Sequence, residues 1–144
     1  MKLNEGRLQT AEHILAHILK SNMPDTKVII SKFRENSGLL EITSANDLRN
    51  IDKVQLQTDV NTVTRKNLAV RKYLIDRDNA EAEFDLSRIP ASIKEVRIVE
   101  IEGFDRTPCK DPHVENTNEI GFFTLLSVKR VGKDRYRFVF SITD

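Results

Sequence analysis

The only cysteine of the chain, Cys109, lies four residues before His113 in a segment that contains Pro108 and Pro112. A thiolate and an imidazole are ligands that a borderline-soft metal ion such as zinc prefers. Pro112 has no amide proton and disfavours helix in the residue before it, so the pair is expected on a turn. The segment therefore indicates part of a metal site, and its other ligands must come from elsewhere in the chain.

The two remaining histidines, His13 and His17, lie close together near the N-terminus. Residues 6–21 have the periodicity of an amphipathic helix, with an apolar stripe formed by Leu8, Ala11, Ile14, Leu15, Ile18 and Leu19. Gln9, His13, His17 and Lys20 recur on the other side at spacings that bring side chains together. If the fold joins this helix face to Cys109, the chain makes a zinc site. The ordinary alternatives are solvated histidines and a small buried cysteine.

Composition narrows the classes of protein and partner. A chain of 144 residues is long enough for one domain with a buried core, and we take residues 1–144 as that single domain. The chain has 23 basic and 22 acidic residues, so its net charge is close to zero. Any nucleic-acid contact must therefore come from a local basic patch. One cysteine forms no internal disulfide, and the polar N-terminus has no apolar signal core. We expect a cytoplasmic protein with no membrane partner.

Periodicity and turn residues predict the remaining elements. A hairpin is expected over 27–34 and 38–43, then a helix over 46–64 that Ser44 caps, a strand over 69–75, a short helix over 79–84, and strands over 95–101, 121–131 and 135–142. This order is typical of an α+β fold, a two-layer sandwich in which a mostly antiparallel sheet packs against helices.

Basic residues form two further clusters. One surrounds the end of the second helix and the other decorates the last hairpin: Arg65, Lys66, Arg71 and Lys72, then Lys129, Arg130, Lys133, Arg135 and Arg137. A solvated face is the ordinary role of such clusters. They would contact phosphates if they flanked the metal pocket.

Two segments resemble the signatures of one family. The segment from Phe104 to Phe123 resembles the second signature of the alanyl-tRNA synthetase editing domain, F-x-x-x-x-C-x-x-x-H-V-x-x-T-G-E-I-G-x-F. Residues 10–15, TAEHIL, resemble its first signature, H-[ST]-A-x-H-[LIV]-L. The chain is thereby similar to free-standing alanyl-tRNA editing proteins of the short AlaX type and to the editing domain of threonyl-tRNA synthetase. The resemblance implies the fold of these editing domains. It also implies a trans-editing hydrolase that uses one zinc ion to remove serine or glycine wrongly attached to alanine tRNA (Ser- or Gly-tRNA for alanine). Its partner would be the acceptor end of the mischarged tRNA.

The resemblance also implies a ligand set. It makes His13, Cys109 and His113 the metal ligands, and three protein ligands leave one position open for water, as a catalytic zinc requires. Gln9 stands where the family has its first histidine and is expected to line the pocket or to bind weakly. In an alternative set, His17 is a fourth ligand that closes the site.

The resemblance assigns further roles and marks two more departures. Gln9, Thr10 and His13 are the predicted catalytic residues, and Thr10 is expected to sense the hydroxyl of a serine substrate. Lys110–Pro112 replace the family's Gly-Gly-Thr, and Asn118 replaces a glycine. Asp111 and Glu119 are expected to be surface or capping residues and not general bases. The residues that bind tRNA are not identified.

Three other functions stay open at the level of sequence. The domain could grip a tRNA acceptor end without catalysis, because Gln9 weakens the ligand set. It could instead be a structural zinc domain, or it could edit Ser-tRNA for threonine. The oligomeric state is not readable from the sequence.

Overall fold

The computed structural model of the protein describes residues 4–144. These residues form seven strands, three α-helices and one short 3₁₀ helix, in the order α1 (Glu5–Asn22), β1 (Lys27–Phe33), β2 (Ser37–Thr43), α2 (Lys53–Thr64), β3 (Val70–Asp76), α3 (Arg77–Glu83), β4 (Glu95–Ile101), β5 (Asp105–Pro108), the 3₁₀ helix (Thr117–Ile120), β6 (Phe122–Gly132) and β7 (Arg135–Thr143). The fold class is the α+β class that the sequence predicts, with antiparallel sheet packed against helices.

The strands divide between two antiparallel sheets. The first has the order β1-β2-β7-β6, and the second has the order β3-β4-β5. Gly38 of β2 lies opposite Phe140 of β7, and a side chain at this glycine would meet the Phe140 ring. The missing side chain therefore lets a fully buried aromatic ring cross the neighbouring strand.

Helix α1 contacts both sheets, touching β1, β2 and β7 of the first and β5 of the second. Leu8, Leu15 and Leu19 are fully buried in the main hydrophobic core, as the apolar stripe predicts. The polar side of the same helix is also covered, since Gln9, Thr10, Glu12 and His13 are buried. The polar side of this helix therefore lies inside the fold, where Glu12 contacts Ser31 of β1 and His13 lies near Asp105 of β5.

The second sheet positions the segment that contains cysteine. Strands β4 and β5 pair from Ile101–Asp105 to Ile98–Pro108, so Cys109 follows directly on the last paired residue. Val99 and Ile101 of β4 belong to the main core. Burial of this strand fixes the end of β5 against α1.

Helix α2 is shorter than the periodicity predicts, because it begins at Lys53 and Asp52 caps it through the Gln55 amide, 3.0 Å away. The predicted cap, Ser44, accepts instead from the Asn46 amide at 3.1 Å. In addition, the Asp47 carboxylate accepts from the Arg49 amide at 3.1 Å. Such local side-chain bonds compete with helix, and they account for the turns before Asp52.

In the part of the chain that the structure describes, helices are too short or too polar to cross a membrane.

Candidate metal centre

Three potential ligands meet beside the middle of α1. One ligand atom from each of His13, Cys109 and His113 lies within 4.8 Å of the other two. His13 is buried, and the other two residues are half-buried. The fold thus joins the two clusters that are far apart in the sequence.

Backbone contacts with strand β4 hold the cysteine. The Cys109 amide donates to the Arg97 carbonyl at 3.0 Å. The Arg97 guanidinium donates in turn to the carbonyls of Cys109, at 3.2 Å, and Asp111, at 2.9 Å. Cys109–His113 lie outside helix and strand, as Pro112 predicts. Arg97 therefore fixes the turn that aims the sulfur at α1.

The histidine end of this turn rests on the first turns of α1. A side chain at Gly6 would lie 3.2 Å from the His113 carbonyl carbon, so glycine permits a close approach. The Thr10 hydroxyl accepts from the Val114 amide at 3.2 Å and donates to the Gly6 carbonyl at 3.0 Å. Lys72 donates to the Val114 carbonyl at 3.0 Å. Contacts from α1 and from Lys72 of β3 therefore hold the backbone at His113 and Val114 in place.

The Thr10 hydroxyl also selects the tautomer of His113. The ring nitrogen Nδ1 of His113 lies 2.9 Å from Thr10 Oγ1. Because the single hydroxyl proton is donated to the Gly6 carbonyl, Nδ1 carries the proton of the imidazole. Its Nε2 then carries no proton and has a lone pair free to bind a metal ion. This nitrogen lies 3.4 Å from the Cys109 sulfur.

Burial sets the charges of this pair. Loss of solvent is the largest cause and, together with the neighbouring His13, Arg97 and Lys72, lowers the pKa of His113 to about 2. Burial likewise raises the pKa of the Cys109 thiol to about 11. Without a cation the pair is therefore a neutral imidazole beside a thiol, and a bound cation would take the place of the thiol proton.

The donor set fits zinc. Two ligands of a tetrahedral zinc ion, with bonds of about 2.1 Å to nitrogen and about 2.3 Å to sulfur, lie roughly 3.4–3.7 Å apart. The Nε2–Sγ distance of 3.4 Å is in this range. One soft sulfur and two imidazoles also match the chemical preference of zinc over magnesium or calcium.

His17 is not placed as a fourth ligand. Its Nδ1 lies 2.8 Å from the Asp105 carboxylate, and its ring lies against Phe104 with centroids 4.2 Å apart. It lies one helical turn beyond His13, outside the group of three ligand atoms. Asp105 thus engages Nδ1 of His17 away from the three converging residues.

Gln9 and Thr10 lie on α1 within one helical turn of His13. Gln9 is 8% exposed and Thr10 is fully buried. The Thr10 hydroxyl is engaged with Gly6, His113 and Val114. The contact of Thr10 with a serine substrate stays a prediction. The structure shows in addition that the Thr10 hydroxyl contacts the His113 ring.

Comparison with known proteins shows which proteins the chain resembles. Residues 96–139 match the model of the threonyl and alanyl tRNA synthetase second additional domain. The chain is 31% identical over 94% of its length to the alanyl-tRNA editing protein AlaX-M of Saccharolobus solfataricus, and 29% identical over 96% to AlaX-M of Methanosarcina barkeri. It is 27% identical over 83% of its length to the threonine–tRNA ligase of Haloarcula marismortui.

Over nearly its whole length, the chain is similar to the alanyl-tRNA editing proteins. It spans 58% of the length of either AlaX-M protein and 20% of the ligase. The matched residues 96–139 include Cys109 and His113, and the relatives aligned over nearly the whole chain also cover His13. The similarity therefore extends over all three converging residues.

The other two family departures lie in the turn from Cys109 to His113 and in the 3₁₀ helix. Asp111 is held through its carbonyl by Arg97, and its carboxylate lies 3.8 Å from the Cys109 sulfur. Asn118 lies in the 3₁₀ helix, where the Glu119 carboxylate accepts from the Asn116 amide at 2.8 Å. Glu119 is thus a capping residue, as expected.

Sequence reasoning missed two acids beside His13. Glu12 is buried, its Oε2 lies 3.8 Å from His13 Nε2, and it accepts from the Ser31 hydroxyl at 3.2 Å. Burial raises the pKa of its carboxyl group. Asp105 lies 3.9 Å from His13 Nδ1. Both acids lie within the signature segments, but their approach to His13 depends on how the two sheets enclose α1.

Most basic residues of the two predicted clusters have intramolecular partners. Arg71 pairs with Glu102 at 2.6 Å, and Arg135 and Arg137 both pair with Glu41, at 2.9 and 2.8 Å. Only Lys72 contacts the ligand segment, through a carbonyl. These contacts leave the tRNA-binding residues unassigned.

Proposed function

We propose that the domain formed by residues 1–144 is a trans-editing hydrolase that deacylates Ser- or Gly-tRNA for alanine at a single zinc ion held by His13, Cys109 and His113. The observation that carries this proposal is the convergence of these three donors in a chain that is similar to alanyl-tRNA editing proteins. Three protein ligands leave a coordination position for water or substrate.

When bound, zinc supplies Lewis-acid polarisation of a water molecule or of the substrate. The residues of the chain hold and shape the place where this occurs. Thr10 keeps His113 in the tautomer whose Nε2 carries no proton and can bind the metal ion. Arg97 keeps the Cys109 turn against α1. Gln9, buried one helical turn before His13, lines the pocket.

The partner in this proposal is the acceptor end of a mischarged tRNA, and the setting is the cytoplasm, where translation takes place. An aminoacyl ester is already activated, so positioning and charge stabilisation supply most of what hydrolysis needs. A pocket that hydrogen-bonds a serine hydroxyl would reject alanine strongly, whereas a size filter would not.

A second candidate substrate is Ser-tRNA for threonine. The similarity to a threonine–tRNA ligase favours Ser-tRNA for threonine as the competing substrate. A non-catalytic tRNA-binding module remains the other alternative, because Gln9 replaces a family histidine.

The test is a deacylation assay with zinc-loaded protein. Alanine tRNA carrying serine, glycine or alanine and threonine tRNA carrying serine are incubated with the protein, and the released amino acid is measured. The proposal predicts that Ser- or Gly-tRNA for alanine loses its amino acid faster than Ala-tRNA does. Mobility shift of the tRNA without release would identify a binding module instead, and preference for the threonine tRNA would reassign the substrate.

A further inference from the structure

The Asp105 carboxylate is placed between the two histidines of α1. One oxygen, Oδ1, accepts from His17 Nδ1 at 2.8 Å. The other, Oδ2, accepts from the Thr107 hydroxyl at 2.7 Å and lies 3.9 Å from His13 Nδ1. The Asp105 side chain is 13% exposed, so these neighbours take the place of water around it.

His13 has an unused polar atom at this point. Its Nδ1 is buried and has no hydrogen-bond partner among residues 4–144. A buried polar nitrogen without a partner is costly, and such atoms are rare in folded proteins. The nearest acceptor described for this nitrogen is Asp105 Oδ2, about one ångström beyond hydrogen-bond distance.

We propose that Asp105 is a positioning residue for the metal: it accepts from His13 Nδ1–H when zinc is bound and so leaves Nε2 as the ligating atom. Histidines that bind metals usually donate their other ring nitrogen to a carboxylate or carbonyl, which fixes the ring and makes it a better ligand. The inference rests on the proposed zinc site and adds a residue to it.

His17 has a defined part in this arrangement. Its hydrogen bond holds Asp105 Oδ1, and its ring is held by Phe104. With Oδ1 fixed by His17, Oδ2 is directed at Thr107 and His13. His17 therefore acts on the metal through Asp105, and this gives a role to a histidine that is not a ligand.

The primary test is zinc affinity by chelator competition. Asp105→Asn keeps the shape of the side chain and removes its charge, and we expect it to weaken zinc binding about 10- to 100-fold. Glu100→Gln is the matched control, because Glu100 lines one surface cavity together with His17 and Asp105 and has no described contact with His13. We expect its affinity to equal that of the wild type.

Asp105→Asn with wild-type affinity would overturn the inference. Wild-type protein that binds no zinc would overturn the proposed metal site as well, so the two failures are distinguishable. His17→Gln should weaken binding less than Asp105→Asn does. Adding His17→Gln to Asp105→Asn should cause no further loss; a further loss would contradict action through Asp105.

A second measurement needs no variant. Nitrogen-15 NMR of the zinc-loaded wild type distinguishes a protonated from a metal-bound ring nitrogen. The inference predicts that His13 carries its proton on Nδ1 and binds zinc through Nε2. Metal at Nδ1 would overturn it, even if Asp105→Asn does not fold.

Discussion

At the scale of single residues, the candidate site combines ligands with the groups that orient them. Thr10 is the clearest case, because one hydroxyl contacts α1, the His113 ring and the Val114 amide. The resemblance predicts the identity of the ligands from sequence. It does not predict the tautomer of His113, which depends on an approach between residues about a hundred positions apart.

Replacing the cysteine tests the ligand set. Cys109→Ala removes the only sulfur donor, so we expect the metal content to fall and deacylation of Ser-tRNA to be lost. Metal analysis and amino-acid release are measured on the same preparation. Hydrolysis at the wild-type rate would show that the chemistry does not use this site.

Thr10 gives a finer test of orientation. Thr10→Val keeps the branched shape but removes the acceptor for His113 Nδ1–H, and we expect zinc affinity to fall about tenfold. Thr10→Ser retains the hydroxyl and serves as the control. Equal chelator-competition curves for the valine and serine variants would contradict the positioning role.

At the scale of elements, helices are joined to strands by buried polar contacts as well as by apolar ones. Asn61 of α2 is 4% exposed. Its amide group donates to the Phe123 carbonyl and accepts from the Phe123 amide, both at 2.9 Å. This pair of bonds holds α2 to the first residues of β6.

Asn61→Ala would leave both backbone groups of Phe123 without their partner. We expect the free energy of unfolding to fall by about 2–4 kcal/mol, because buried polar groups would remain unsatisfied. Urea denaturation measures the loss. Gln55→Ala on the exposed side of α2, where the side chain bonds only Asp59, is the control and should change stability little. A loss for Asn61→Ala no larger than for this control would refute the role of Asn61.

Element prediction succeeded where periodicity is strong and failed where side chains bond locally. Residues 95–101 place charged residues among β-branched ones and form β4 with the predicted bounds, and α1 follows its apolar stripe. The start of α2 was predicted too early, because apolar spacing continues through turns that Ser44 and Asp47 stabilise. The division of the strands between two sheets was also not predicted, since it depends on long-range pairing.

At the scale of the whole molecule, the two sheets enclose α1 and thereby bury its polar side. No local pattern distinguishes this arrangement from a helix with one solvated face, and only the family resemblance predicts that Gln9 and His13 line a pocket. The first sheet carries paired charges on the face opposite the core, because Glu41 alternates with the core residues Leu40 and Ile42. Glu41 of β2 is 5% exposed and pairs with two arginines of β7, Arg135 and Arg137.

This arrangement predicts a pH-dependent stability. The hydrogen bond from Arg137, aided by Arg135, lowers the pKa of Glu41 in the folded protein. The stabilisation is complete above the unfolded pKa, near ~4.3, and is lost as the pH falls through the lower folded value. Glu41→Gln should therefore cost roughly 1 kcal/mol at neutral pH, allowing for solvent around the arginines, and less in acid.

Urea denaturation across a pH series measures this difference. Glu102→Gln, which removes an exposed pair with Arg71, is the matched control and should have little effect at any pH. A Glu41→Gln loss that stays constant from neutral to acid pH would contradict the assignment.

The central claim is that one zinc ion held by His13, Cys109 and His113 supports hydrolysis of a mischarged alanine tRNA. The most direct measurement is the rate of amino-acid release from Ser-tRNA for alanine, while metal-free protein is titrated with zinc. We predict that the rate rises in proportion to added zinc and reaches its plateau at one equivalent per chain. Full activity in the thoroughly metal-free protein would contradict the account.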